Sequence, residues 1–123
     1  MPSADRHHAQ ARRNTRASQD FQGLGYHDWA VTALFYSAIH WIDAYLATLN
    51  VHSHGHEQQA RYVGQLAPLA GLLRHFRELH SQSEDARYRL GAFASSDVDK
   101  LRQEHFAPIE QTIAPLLPES SGR

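Results

Sequence analysis

Tyr36, His40 and Asp43 are the residues whose types and spacing most readily do acid–base chemistry. Side chains three and four apart on a helix are surface neighbours, so phenol, imidazole and carboxylate share one edge. An aspartate beside a histidine fixes its tautomer and raises its basicity, and a tyrosine relays a proton. The same trio equally serves to satisfy polar atoms against another helix, with Arg61 or Arg87 as the partner of Asp43. A second group, His52, His54 and His56 with Glu57, surrounds Gly55. Three imidazoles and a carboxylate suit zinc or nickel, with His40 as a remote fourth ligand. Alternation is a strand spacing, whereas this segment reads as a turn entering a helix, so the expectation is no metal and no cofactor. Arg12 and Arg16 share a face of the first helical segment, flanked by Arg6 and Arg13. A phosphate backbone is their natural guest, although Asp5 and Asp20 dilute the patch.

The element that must position the first group runs from Asp28 to Asn50. Ala30, Val31, Leu34, Phe35, Ala38, Ile39, Trp41, Ile42, Tyr45, Leu46 and Leu49 cover nearly its whole circumference, which places it in the middle of a bundle. Thr32, Tyr36, His40 and Asp43 draw one polar line along that cylinder. At 1.5 Å per residue it reaches about 33 Å, enough for a bilayer, but His40 and Asp43 near its middle argue for a protein interior instead.

Ahead of it, good helix formers run from Ala4 to about Gln22, packing by alanines and Phe21. Gly23 and Gly25 supply a left-handed stop, and Asp28 is the natural N-cap of the central helix. Ser53 or His54 caps a third helix reaching about Leu66. Pro68 opens a fourth, with Leu69, Leu72, Leu73, Phe76, Leu79 and His80 on one face, ending near Arg87 or Leu90 before Gly91. A fifth opens at Ser96 with Asp97 and Asp99 at its positive end and carries its face to Leu116, bent where Pro108 lacks a donor.

The chain has 123 residues, 41% hydrophobic and 20% charged, which suits one domain with one modest core. There are no cysteines, so disulfides and thiolate metal sites are excluded. Net charge is −1, without the strong basic field of duplex-DNA binders. The N-terminal stretch has no apolar run and does not read as a secretory signal. No Gly-rich phosphate loop, nucleophile elbow or di-iron carboxylate set is present, and Gly23-Leu24-Gly25 lacks the third glycine of a dinucleotide site.

The run Trp29-Ala30-Val31-Thr32-Ala33-Leu34-Phe35-Tyr36-Ser37-Ala38-Ile39-His40-Trp41, continuing to Asp43-Ala44-Tyr45-Leu46, resembles the HEPN domain superfamily. His56-Glu57-Gln58-Gln59-Ala60-Arg61 and Leu79-His80-Ser81-Gln82-Ser83-Glu84-Asp85-Ala86-Arg87-Tyr88 are similar in the same order. The resemblance implies a helical bundle, commonly a homodimer, working on or near RNA beside a nucleotidyltransferase-like partner or in a toxin–antitoxin pair. Catalytic members carry an arginine and, about a turn and a half later, a histidine, and cut RNA without metal. Arg74 and His80 have that spacing here. Arginine stays charged and histidine titrates in the useful range, which suits stabilising a phosphorane and moving a proton. Their side chains diverge by about 120° around a helix, so they meet more naturally across a dimer axis than within one chain.

The sequence thus reads as a single domain over residues 1–123 with a loose tail after about 118. The fold expected is all-α, an up-and-down bundle of four to five antiparallel helices, cytoplasmic and dimeric. Unspent aromatics (Trp29, Trp41, Phe35, Tyr45, Phe76, Phe93 and Phe106) add to the dimer expectation. The resemblance implies a module bound to RNA or nucleotide, without robust catalysis. The alternatives are an endoribonuclease using Arg74 and His80, or a non-catalytic, antitoxin-like interaction subunit.

Overall fold

The computed structural model describes residues 2–118, so the expected loose tail lies outside the described residues. Among the described residues every regular element is helical: α1 Ala4–Gly23, α2 His27–Thr48, α3 His56–Gln65, α4 Leu73–Tyr88, α5 Ser95–Leu101 and α6 Ala107–Ile113. A 3-10 turn, Ala67–Leu72, leads into α4, and a single π-helical turn, Arg102–Phe106, joins α5 to α6 as one interrupted fifth helix. No helix of the described residues is long and apolar enough to cross a membrane.

α2 is the centre of this all-α bundle. Ala30, Val31, Leu34, Phe35, Ala38, Ile42 and Leu46 have no exposed surface. Phe76 and Leu79 of α4, Val63 of α3, Val98 of α5 and Ile109 and Ile113 of α6 complete the same core. Trp29 lies outside it, 56% exposed at the rim against Phe21, so the buried axle starts at Ala30. Trp41, Phe35, Phe76 and Phe106 are buried within one chain, which removes most of the aromatic surplus that suggested a dimer.

α1 lies on α2 through small hydroxyls rather than a row of alanines. Ser37 Oγ donates to the carbonyl of Ala11 at 2.7 Å, Ser18 Oγ donates to that of Ala30 at 2.8 Å, and Thr15 Oγ1 meets Ser37 Oγ at 2.8 Å. Such short side chains let two helix backbones come close while every buried hydroxyl keeps a partner.

The hairpin between α1 and α2 closes as the glycines predict. Gly25 is left-handed (φ 86°), and the amides of Tyr26 and Gly25 donate back to Phe21 and Gln22. Asn50 (φ 57°) repeats this at the end of α2, where the amide of Val51 reaches Leu46. Two capping expectations are corrected. Asp28 sits inside the first turn of α2, accepting from the Trp29 amide at 2.9 Å, while Tyr26 is the N-cap. Gly55, not Ser53 or His54, precedes α3. At the end of α4 the left-handed residue is Leu90 (φ 56°), one before the glycine. Pro108 lacks the N–H an α-helix would use, and the chain widens into the π turn just before it, where Ala107 N–H reaches the Arg102 carbonyl.

Candidate functional site

The polar line on α2 is real, and each member is met by a different element. Thr32 is buried and returns its hydroxyl to the Asp28 carbonyl of its own helix at 3.0 Å. Tyr36 OH accepts from Arg87 Nη1 of α4 at 2.8 Å. His40 Nδ1 faces His7 Nδ1 of α1 at 3.1 Å, so one ring must donate and the other accept. Asp43 Oδ1 accepts from Gln59 Nε2 of α3 at 2.8 Å and from Ser53 Oγ at 3.1 Å. The arginine partner expected for Asp43 is therefore not the one found. Arg87 goes to Tyr36, Arg61 is exposed, and Asp43 is held by neutral donors.

Burial lowers the His40 pKa below its usual value, with the neighbouring His7 adding to the fall, and the opposing charge of Asp43 does not reverse it. His7 is lowered likewise, chiefly by burial, against Asp43 and with His52. Asp43 does raise the basicity of His40, as expected, but desolvation of the imidazolium outweighs the carboxylate, so the net shift is downward.

Towards α4 the seam continues as a stacked aromatic group. His80 lies flat on Phe35 (centroids 5.0 Å, 9° between planes), and His56 meets both rings edge-on at 5.2 and 5.0 Å. His80 Nε2 reaches Glu84 Oε1 at 3.1 Å. Burial, then the His80 and Arg87 charges, lower the His56 pKa. Arg87 is fixed by three bonds, to Tyr36 OH, the Ser83 carbonyl and Ser83 Oγ, with Tyr88 packed 4.9 Å from its guanidinium carbon.

Arg74 and His80 share α4 but not a site within the chain. Arg74 is exposed in the first turn, whereas His80 leans on Phe35 about 9 Å further along the axis. Arg12 and Arg16 are both exposed on α1. The alternating histidines diverge: His54 is exposed, His56 turns to Phe35, and His52 stays on the His7 side. Sequence reasoning missed His7, His52's neighbour in space, and Gln59. It also missed the pair of His75 and His105, whose Nδ1 atoms stand 3.0 Å apart. Only the abundance of histidine hinted at such pairs.

Comparison of the chain with known protein families, with curated proteins and with solved structures finds no match.

Proposed function

We propose that this protein is a HEPN-like, cytoplasmic helical module that binds RNA or nucleotide phosphate along the α2–α4 seam, acting as a homodimer beside a nucleotidyltransferase-like partner. The observation that carries the reading is Arg87. Its guanidinium is anchored at Tyr36 and Ser83, yet a guanidinium has more N–H donors than those three bonds use. A planar, pre-oriented fork of that kind matches a phosphate, and His56 and Tyr88 beside it supply faces on which a base stacks. Arg12 and Arg16 extend the basic surface on α1.

Retention of single-stranded RNA should weaken with salt, and Arg87→Gln should weaken it about tenfold, the scale of one charge-assisted bond. Arg12→Ala with Arg16→Ala should reduce the salt dependence further. Retention that is unchanged in a folded Arg87→Gln protein would remove this reading.

The bond between His80 and Glu84 favours a second reading, because a carboxylate-held imidazole is a competent proton acceptor. Two subunits would then join His80 of one to the exposed Arg74 of the other in a metal-independent endoribonuclease. It requires RNA cleavage in excess EDTA that disappears in His80→Ala while folding persists.

A further inference from the structure

The geometry points to a divalent transition-metal site at the other end of the seam, built by His7, His40 and Asp43, with zinc or a chemically similar ion as its ligand. Among the described residues this is the group whose ligand atoms, one nitrogen from each imidazole and one carboxylate oxygen, all lie within 4.8 Å of one another. The two Nδ1 atoms at 3.1 Å already have the edge length of a tetrahedral site, about 3.3 Å for bonds of 2.0–2.1 Å. Between the two rings one Nδ1–H donates to the other Nδ1, and a cation held by both nitrogens would take the place of that proton.

The surroundings have the form of a supported site rather than a chance cluster. A ligating carboxylate needs hydrogen bonds to fix it, and Asp43 has them on Oδ1 from Gln59 and Ser53, which leaves Oδ2 for the ion. Gln59 is itself locked, being 1% exposed with its amide also donating to the Ile39 carbonyl. His40 and Asp43 are one turn apart on the most deeply packed helix of the fold, so both are positioned by the core. His7 approaches from α1, which the hydroxyl contacts at Ser37 and Ser18 hold against α2.

Three protein ligands leave a fourth position for water or substrate, the arrangement of a reactive rather than a purely structural zinc. That position opens into a cavity of about 170 Å³ lined by His7, Asp43, His52, Ser53 and His54. The volume holds several waters at about 30 Å³ each. His52 lies on the wall of the same cavity. The ligand set N2O excludes soft, thiolate-seeking ions and suits Zn²⁺, Co²⁺, Ni²⁺ or Fe²⁺.

The test is a Co²⁺ titration of the full chain, without an affinity tag and after chelation, followed by visible absorption. One ion per chain should bind with the intense bands of a four-coordinate site, and Zn²⁺ should displace it. His7→Gln, half-buried in the first turn of α1, and Asp43→Asn should each weaken binding by at least about 100-fold, the upper range for loss of a mere supporting residue. His105→Gln, remote from the site, should bind as the parent does. Binding that survives both ligand substitutions, binding lost in His105→Gln, or no saturation at one ion per chain would overturn the site.

Discussion

Two histidine pairs in this fold have nearly the same geometry and different surroundings. His7 and His40 meet at 3.1 Å with ring centroids 5.3 Å apart, and His75 and His105 meet at 3.0 Å and 5.2 Å. The first pair joins α1 to α2 within reach of Asp43 and beside a cavity. The second joins α4 to the π turn, burial and then the charge of Arg74 lower the His75 pKa, and His105 lines a cavity with Glu78, Asp97 and Glu104. A cation between His75 and His105 would face that guanidinium, and among the described residues no carboxylate oxygen comes close enough to both rings to complete a group of three. The contrast teaches that a pair of imidazoles is by itself a way to fasten two helices. It becomes a site only where an anchored carboxylate lies within reach of both rings.

The largest effect that sharpens this contrast is on affinity. Gln59→Leu removes the donor that fixes Asp43 and should weaken Co²⁺ binding about 10–100-fold, while His105→Gln leaves it unchanged. Next is stability. His75 is buried, so His75→Ala leaves a void and an unpaired His105 nitrogen, and urea unfolding should show a loss of about 2 kcal/mol. His7→Ala, at a half-buried position, should cost about half as much by the same measurement.

The pairs should also make the fold acid-sensitive. Burial holds His7, His8, His40, His56 and His75 below the usual 6.5, so in that region the unfolded chain binds more protons than the folded one. Stability should therefore be flat above pH 6.5 and fall as pH drops below it. His75→Phe, which cannot titrate, should flatten part of that slope in urea melts taken across the range. Smallest, and remote from both pairs, Leu90→Gly should raise stability by about 0.5–1 kcal/mol. It relieves a left-handed leucine while adding glycine's entropy to the unfolded chain.

The helices, though not all of their caps, were legible because they are written in local spacing. An all-round apolar α2, the leucines and Phe76 on α4, and the glycines at 23 and 25 each specify structure from residues within a turn or two. The polar line on α2 was legible for the same reason. Its partners were not. His7 lies 33 residues from His40, and His75 lies 30 from His105, so neither pair leaves a periodic trace. Which histidine meets which depends on how α1 crosses α2 and on the π turn that carries His105, and both follow from packing of the whole bundle. His52, His54 and His56 show the opposite case: they alternate within five residues, but the turn at Gly55 sends them to different neighbours.

The most direct measurement is a long-range proton–nitrogen correlation of the histidine rings during Zn²⁺ addition to the untagged chain. The account predicts that one ring nitrogen each of His7 and His40 moves to the metal-bound position at one equivalent, while His75 and His105 stay where they were. Equal movement of both pairs, or movement confined to His52 and His54, would contradict it.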